Sequence, residues 1–424
     1  MELARGTPVE PAMEWPADRN AALARLAQFA PQMGRRYSNR RNHDEGLTRN
    51  NVSQLSPCLH AGVVSEAEVL ESALGHHGPE AADKFIAEVF WRIYFKGYLE
   101  QRLSIWKAYC KQRDLSFAEL ETNKGLRAAY DKAVTGSTGI AAFDHWAREL
   151  ATTGYLHNHA RMWFASIWIF TLKLDWALGA DFFLQHLLDG DAASNTLSWR
   201  WVGGLHTKGK IYLARPDNIE RYTQDHPDGP LQTERLATEA SPLEELEDHP
   251  RQLLNLPAPA ESLERPFALL LHDHGASHVP LHLPEAPSVV ISAARPEART
   301  PVACGGLTAT FARDVARKGG KDAAKAFGCN HKEWNEGNSL SGILKETGLQ
   351  HVVTPYLTAG WTRDALWPEL MQLDEQGHLT QLVSELDRVT WPHAKAGFFG
   401  VKKIMHKAMR EAGVAPRQME LFDA

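Results

Sequence analysis

The sequence predicts an α+β protein in which a helical domain comes before a domain of alternating strands and helices. Residues 20–223 contain long amphipathic stretches such as KFIAEVFWRIYFKGYLEQRLSIWKAY, separated by short polar turns. Residues 225–266 are rich in proline and acidic residues, which is typical of an extended linker. From residue 267 onward, short apolar runs such as FALLLHD and SVVISAA alternate with helix-like stretches, which indicates a parallel sheet. We therefore expect a helical domain at 1–224, a linker at 225–266 and an α/β domain at 267–424.

The composition is that of an ordinary globular protein. No apolar run is long enough to span a bilayer, and residues 1–16 carry acidic residues and prolines where a signal peptide requires an apolar core. The cysteines are far apart in sequence, which predicts free thiols at Cys58, Cys110, Cys304 and Cys329. The net charge of −6 gives no overall attraction to nucleic acid, so DNA binding requires a local basic surface. We expect a monomer in the cytoplasm that makes no contact with a membrane.

The first informative segment runs from Tyr37 to Pro57 and reads YSNRRNHDEGLTRNNVSQLSP. Its phenol, hydroxyl, amide and guanidinium groups come directly before a predicted helix start at Ser53 and Ser56. Helix N-termini with hydroxyl donors bind phosphates, but polar loops with helix caps are common without any ligand. The segment therefore predicts either a phosphate site or a capped surface loop.

The second segment is FIAEVFWRIYF, an otherwise apolar helical stretch. Helical spacing places Glu88 beside Trp91 at i+3 and Arg92 at i+4, so a carboxylate, an aromatic ring and a guanidinium share one edge. Such an edge fits a binding site. It also fits a surface ion pair, which contributes only a few tenths of a kcal/mol.

The third segment, TGYLHNHARMWFAS, places Asn158 and Met162 one helical turn apart with Arg161 between them. Polar side chains at this position also occur where they merely cap the start of a helix. The pattern alone leaves both interpretations open.

The fourth segment, LDGDAASNTLSWRW, is the most specific. Asp189 and Asp191 flank a glycine, Asn195 follows Asp191 by one helical turn, and Trp199 follows Asn195 by another. In isolation LDGD suggests a cation-binding turn. The segment lacks the further acidic ligands at regular spacing that a calcium loop requires.

Together these motifs resemble the FAD-binding domain of the photolyase and cryptochrome family. The resemblance covers roughly two hundred residues and keeps the family order: the Tyr37 to Arg41 element, VSQLSP, EVFWR, GYLHNHARM and LDGDAASN…WRW. It implies an all-α photolyase-type FAD-binding domain followed by an α/β Rossmann-like domain, with FAD as the cofactor. It names no antenna chromophore, because the second domain carries no motif for one.

The resemblance also implies roles for single residues of the cofactor site. The residues that match the cradle of the FAD phosphates are Tyr37, Ser53, Gln54, Leu55 and Ser56. Gln54 stands where basic residues are frequent in the family. The residues that match contacts to the flavin, ribityl and adenine parts are Arg92, Asn158, Arg161, Asp189 and Asp191. Asn195 matches the position that faces flavin N5, where photolyases usually carry asparagine, and Arg161 with Asp189 matches an ion pair beside the flavin ring.

By the same resemblance, the substrate is a cyclobutane pyrimidine dimer in UV-damaged DNA. The residues that match the dimer pocket are Glu88, Trp91, Asn158, Met162 and Trp201. Two aromatic rings can stack on a flipped-out dimer, and a carboxyl group can form hydrogen bonds with its bases. Asn158 and Met162 stand where enzymes for (6-4) lesions usually carry histidines, which favours the cyclobutane dimer. Arg41 matches a basic residue on the lesion side.

The catalysis implied is light-driven electron transfer to the dimer. The residues assigned to it are Glu88, Met162, Asn195, Trp176 and Trp199, of which the two tryptophans match a chain that reduces the flavin. The third member of that chain is not identified by the sequence, and Trp106 and Tyr130 are candidates. Two alternatives remain: a blue-light photoreceptor of the cryptochrome type without repair activity, and a light-independent module that retains FAD for structure.

The chain departs from the family pattern in two places. The α/β domain follows the FAD domain instead of preceding it, which resembles a circular permutation. The segment GGLHTKGKIYLARPDNIERYT after Trp201 also differs from the usual continuation, and this difference concerns lesion binding more than flavin binding. The histidines of HDHGASHVPLH suggest either a metal site or an exposed loop, and we assign no metal.

Overall fold

The computed structural model describes residues 15–260 and 262–414, so the outermost parts of the predicted 1–224 and 267–424 domains lie outside the described residues. The first part is helical. Its twelve helices are α1 Arg19–Phe29, α2 Arg35–Arg40, α3 Ser56–His60, α4 Glu66–His76, α5 Pro79–Glu100, α6 Leu103–Thr122, α7 Lys124–Val134, α8 Ala141–Thr153, α9 Asn158–Ser166, α10 Trp176–His186, α11 Ala192–Val202 and α12 Pro216–Tyr222. The predicted helical part is therefore confirmed.

Local sequence signals account for several helix boundaries. Ser65 and Glu68 form a reciprocal capping box at the start of α4. Pro79 occupies the first turn of α5, where its missing N–H costs nothing. Gly154 ends α8 in the left-handed conformation that glycine adopts readily. Directly after α9, the chain continues in a π-helical turn over Ile167–Thr171.

The second part contains a five-stranded, all-parallel sheet with the order β3-β2-β1-β4-β5. Its strands are β1 Phe267–His272, β2 Val289–Ala293, β3 Asn330–Trp334, β4 His351–Pro355 and β5 Leu379–Leu382. Every residue of β1, β2 and β4 is buried, as expected for strands covered on both faces. The predicted parallel sheet is confirmed. Strand order reverses between β1 and β4, so their carboxyl ends open a crevice there.

The helices of the second part divide into two groups. Three lie between the strands in sequence, namely α13 Gly306–Phe327, α14 Leu340–Thr347 and α15 Trp361–Glu375. Three short ones follow β5, namely α16 Glu385–Thr390, α17 Phe399–Lys402 and α18 Met405–Glu411. The last group returns to the helical part, where the buried Trp391 packs against Gly97 of α5. In the part of the chain that the structure describes, no helix combines the length and apolarity needed to cross a bilayer.

Hydrogen bonds and a cavity mark the junction of the two parts. Trp106 of α6 donates to Asp364 of α15 at 2.7 Å, and Thr300 donates to Asp181 of α10 at 2.8 Å. A cavity of about 630 Å³ lies at the same junction, beside the carboxyl ends of β4 and β5. Arg92 of α5 is one of its lining residues. The junction therefore reaches one of the residues predicted to contact the cofactor.

Candidate functional site

Three ion pairs connect most of the elements that carry the predicted site residues. Their members are Arg41 with Glu88, Arg92 with Asp191, and Arg161 with Asp189. Since Glu88 and Arg92 both belong to α5, this helix is joined at one point to the end of α2 and at another to the turn between α10 and α11. We call this turn, residues 189–191, the aspartate turn. The structure thus brings together side chains from four separate sequence motifs.

Tyr37 lies inside this arrangement, on α2. Its ring is buried and meets Phe85 of α5 edge to face, with 5.1 Å between the ring centroids. Burial and the nearby Glu88 carboxylate raise the pKa of the Tyr37 phenol, so the group is a neutral hydrogen-bond donor. Helix α2 ends at Arg40, and a polar loop leads from there to α3.

The loop of residues 53–56 precedes α3. Arg25 of α1 donates from Nε to the carbonyl of Ser53 and from Nη2 to Oε1 of Gln54, both at 2.8 Å. Gln54 has a φ of 55°, a left-handed conformation that a non-glycine residue adopts only with support from its surroundings. Leu55 is buried, and Ser56 begins the helix. Arg25 therefore holds the loop in the shape that would present its hydroxyl and N–H groups to a phosphate.

The aspartate turn receives a cation from each side. Arg161 Nη2 lies 2.8 Å from Asp189 Oδ2, and Arg92 Nη1 lies 3.5 Å from Asp191 Oδ2. Burial alone would raise the pKa of Asp191, but Arg92 and the backbone N–H of Ser194 bring that pKa below its ordinary value. Asp191 is thus ionised at neutral pH while it caps α11.

Helix α11 carries Asn195 and Trp199. Both side chains are buried, and Asn195 Nδ2 donates to the carbonyl of Ala180 at 2.8 Å. Among the described residues, four buried polar atoms of the aspartate turn and α11 have no hydrogen-bond partner: Asp189 Oδ1, Thr196 Oγ1, Trp199 Nε1 and Arg200 Nε. Unpaired buried polar atoms are uncommon in folded proteins, so these atoms are candidates for contacts to a ligand.

The aromatic neighbours of the two predicted redox tryptophans form separate branches. Trp199 meets Trp168 with 6.2 Å between ring centroids, and Trp168 meets Tyr130 at 6.1 Å. Trp168 belongs to the π-helical turn and was missed by the sequence analysis, which favoured Trp176 as the neighbour.

Trp176 lies at the start of α10, where Tyr109 is 5.7 Å away and leads to Trp106 at 5.3 Å. The two candidates for a third aromatic thus lie on different branches: Trp106 follows Trp176 and Tyr109, and Tyr130 follows Trp199 and Trp168. Their assignment stays a prediction.

The predicted dimer-pocket residues are the more exposed ones. Glu88, Trp91, Met162 and Trp201 are partly exposed, and Asn158 at the start of α9 is exposed. Trp201 stacks on Tyr212, at 5.6 Å and 30°. Trp91 stacks in parallel on Phe398, a residue of the C-terminal part, at 4.0 Å and 13°.

Two further residues support the site without any signal in the sequence. Arg299, which follows β2, donates to the carbonyls of Leu187 and Gly190 at 2.8 and 3.1 Å and lies against the ring of Trp361. A side chain at Gly190 would collide with Arg299 Nη2. Glu66 of α4 pairs with Arg92 at 3.1 Å. Both are single charged residues in ordinary contexts, so neither could be identified from a local pattern.

Comparison with known proteins identifies the helical part. Residues 85–229 match the family model described as the FAD binding domain of DNA photolyase. The helical part of this chain is therefore similar to the FAD-binding domain of DNA photolyase. The predicted cofactor of the photolyase domain, FAD, is confirmed by this match.

Two curated photolyases illustrate the extent of the likeness. The deoxyribodipyrimidine photo-lyase of Streptomyces griseus is 36% identical over 196 residues, which are 43% of this chain and 41% of that protein. The deoxyribodipyrimidine photo-lyase of Neurospora crassa is 28% identical over 224 residues, which are 51% of this chain and 35% of that protein. The chain therefore spans less than half the length of these curated relatives. A solved class III photolyase from Agrobacterium tumefaciens is 26% identical with a TM-score of 0.37, over 48% of this chain and 42% of that chain.

The residues of the photolyase domain fit the cofactor. Asp189 Oδ1 is a buried acceptor without a protein partner in the described ranges, and it lies beside the Arg161 guanidinium. A flavin ring presents N–H donors and carbonyl acceptors on one edge, which an aspartate and an arginine together can satisfy. Asn195 adds an amide on the next helix turn. These groups would hold the flavin, while Tyr37 and the 53–56 loop would hold the phosphates.

A buried charge cluster in the helical domain predicts a pH-dependent stability. Arg49 lies between Asp44, at 3.2 Å, and Glu149, and all three side chains are buried. Burial raises the pKa of Glu149 from 4.5 to about 7, although Arg49 opposes this shift. Because the folded-state pKa is the higher one, Glu149 contributes stability below pH 4.5 that is lost as the pH rises through 7.

We expect the difference in unfolding free energy between the wild type and Glu149→Gln to fall by up to about 3 kcal/mol from pH 5 to pH 8. Denaturant titrations at both pH values measure this difference. Glu121→Gln, at an exposed position on α6, provides the control and should change stability by the same small amount at both pH values. If the unfolding free energies of the wild type and Glu149→Gln differ by the same amount at pH 5 and pH 8, the raised pKa of Glu149 is contradicted.

Proposed function

We propose that the protein is a deoxyribodipyrimidine photo-lyase, which uses light to split cyclobutane pyrimidine dimers in UV-damaged DNA. The observation that carries this proposal is the layout of α5. Glu88 and Trp91 are partly exposed on that helix, and Arg92 on the next position pairs with Asp191 of the aspartate turn. One helix therefore links the predicted substrate residues to the predicted cofactor residues. The names of the curated relatives support the same function.

The substrate residues have the chemistry that a flipped-out dimer requires. The partly exposed indole of Trp91 offers an aromatic surface for stacking. Arg41 forms an ion pair with one oxygen of the Glu88 carboxylate, and the other oxygen of Glu88 can accept a hydrogen bond from a base. Asn158 adds an exposed amide, and Met162 adds an adaptable apolar side chain on the same face of α9.

The cofactor residues position and protect the flavin. When bound, FAD supplies the light-driven electron that opens the dimer ring and takes it back. Arg161 and Asp189 fix the orientation of the ring, and Asn195 offers an amide at the predicted N5 position. The apolar surroundings of Trp199 exclude water from this region, since Phe164 and Phe183 pack against its indole.

The test is a light-dependent repair assay with the purified protein. Oligonucleotides that carry a cyclobutane dimer are incubated with the reduced protein in light or in the dark, and the remaining dimers are counted. We expect repair in light only, and at least a tenfold slower repair by Glu88→Ala because the base loses its charged hydrogen-bond partner. The matched control is Glu80→Ala, at an exposed position on the same helix.

Three outcomes would overturn this proposal. If Glu88→Ala repairs dimers at the wild-type rate, the predicted pocket is wrong. If the protein shows flavin absorbance but repairs neither single-stranded nor double-stranded DNA, the blue-light photoreceptor becomes the better interpretation. An absence of flavin absorbance would favour the light-independent module.

We also propose that the α/β part is a Rossmann-like domain placed after the FAD domain by circular permutation. The parallel order β3-β2-β1-β4-β5, with its reversal between β1 and β4, supports the first point, and the order of the two parts along the chain supports the second. The same proposal includes a monomeric protein in the cytoplasm. Size-exclusion chromatography with light scattering would test the monomer.

A further inference from the structure

The segment of residues 391–403, which we call the C-terminal segment, is fixed along α5. At its start the buried indole of Trp391 packs on Gly97, where any side chain would collide with it. Gln101 Nε2 donates to the carbonyls of Trp391 and Ala394, at 2.9 and 3.2 Å. The segment is therefore a fixed part of the surface of the helical domain, although it follows the sheet in sequence.

The far end of the C-terminal segment reaches the predicted dimer pocket. Tyr94 Oη donates to the carbonyl of Ala396 at 2.6 Å, and Phe398 stacks in parallel on Trp91. Tyr94 Oη also lies 3.0 Å from Nε2 of His206, in the loop that follows Trp201. Two segments that are far apart in sequence thus meet at Tyr94, whose ring lies 5.6 Å from that of Trp91.

Both segments are cationic in a chain whose net charge is −6. Residues 391–403 contain three lysines and no acidic residue, and residues 205–210 contain two lysines and no acidic residue. The five lysines of these two segments, Lys208, Lys210, Lys395, Lys402 and Lys403, have no acidic partner within 4.0 Å in the ranges that the structure describes. Lysines that no carboxylate neutralises attract phosphate groups.

A large apolar side chain projects from this cationic surface into the solvent. Phe399, at the start of α17, is 78% exposed, whereas its neighbour Phe398 is buried against Trp91. Single exposed apolar side chains are common on protein surfaces, so what distinguishes Phe399 is its position among lysines that have no acidic partner. An aromatic ring that projects among lysines fits a nucleic acid, since proteins insert such rings beside unstacked bases while cations hold the phosphates.

We propose that residues 395–403 and the loop of residues 205–210 form one DNA-docking surface, in which the lysines contact phosphates and Phe399 contacts the bases beside a flipped-out dimer. This rests on the proposed repair function, since it is Trp91 that would receive the dimer. Anionic membrane surfaces also attract lysines and an aromatic ring. DNA is the better partner because the surface is continuous with the Trp91 pocket through Phe398.

The experiment measures binding in the dark by fluorescence anisotropy, with labelled duplexes that contain or lack one cyclobutane dimer, over a series of salt concentrations. We expect Phe399→Ala to weaken binding of the dimer duplex at least fivefold and to leave binding of the undamaged duplex within twofold. We expect Lys402→Ala/Lys403→Ala to weaken binding of both duplexes and to reduce the slope of log K against log salt by about 2.

Two matched controls keep the result specific. Leu115→Ala removes another exposed apolar side chain, on α6, and Lys321→Ala/Lys325→Ala removes two exposed lysines from α13. Both should bind like the wild type. Flavin absorbance and the thermal midpoint of each variant verify that it is folded.

The outcomes separate this proposal from the repair proposal. Wild-type affinities for both Phe399→Ala and Lys402→Ala/Lys403→Ala would overturn the docking surface. If the wild type binds both duplexes equally, the repair function fails, and the docking surface is then judged by whether the lysine variant loses affinity for undamaged DNA. If the lysine variant instead loses binding only to vesicles that contain anionic lipid, the partner is a membrane and the proposal is wrong.

Discussion

Replacement of Asp189 by alanine should leave the protein almost free of flavin at micromolar concentrations. The change removes the carboxylate that pairs with Arg161. It also removes the buried atom Asp189 Oδ1, which accepts no hydrogen bond within the described structure. A partly buried guanidinium that loses its carboxylate destabilises the site by about 3 kcal/mol, which corresponds to roughly a hundredfold weaker FAD affinity. The ratio of flavin absorbance to protein after gel filtration, followed by titration with free FAD, measures the effect.

Asp217→Ala serves as the control for Asp189→Ala, because Asp217 is an exposed acidic residue of the same domain, on α12. Asp189→Asn adds a second comparison, since it keeps the shape and removes the charge. A full complement of flavin in Asp189→Ala would show that the aspartate turn does not hold the cofactor.

Replacement of Trp199 by phenylalanine should slow the photoreduction of bound FAD at least tenfold. Trp199 is buried on α11, one turn beyond Asn195. Phenylalanine is far harder to oxidise than tryptophan, so it cannot replace Trp199 as an electron donor. The rate at which flavin absorbance bleaches under blue light with an external thiol measures the effect. Trp334→Phe, on β3 in the other domain, should bleach like the wild type.

Two more variants show which branch continues from Trp199. If electrons reach Trp199 through Trp168, photoreduction is slow in Trp168→Phe and unchanged in Trp176→Phe. If the predicted chain through Trp176 is correct, photoreduction is slow in Trp176→Phe and unchanged in Trp168→Phe. Photoreduction of Trp199→Phe at the wild-type rate would exclude both branches. The centroid distances favour Trp168, whereas the family resemblance favours Trp176.

The sequence predicted most of the helical domain because its information is local. Glu88 and Arg92 lie on one edge of α5, as the i+4 spacing required, and the pair of Arg161 and Asp189 forms as the resemblance implied. The two-part architecture also followed from local patterns, since amphipathic runs and buried apolar runs differ in period.

The contacts that the sequence could not predict are those between segments far apart in the chain. Phe398 follows a short polar run and carries no motif, yet it covers one face of Trp91. Arg299 is one of many arginines, and only the docking of the second domain places it under the aspartate turn. Such contacts depend on how whole domains pack, which periodicity and spacing do not encode.

The packing of Arg299 on Gly190 changes the meaning of the LDGD motif. Gly190 does not have a positive φ among the described glycines, so its backbone could accept a side chain. What excludes a side chain is a guanidinium from the other domain. The glycine in the motif thus records an interdomain contact: a side chain at position 190 would displace the Arg299 guanidinium, and Leu187 and the aspartate turn would then lose the hydrogen bonds that they receive from the second domain.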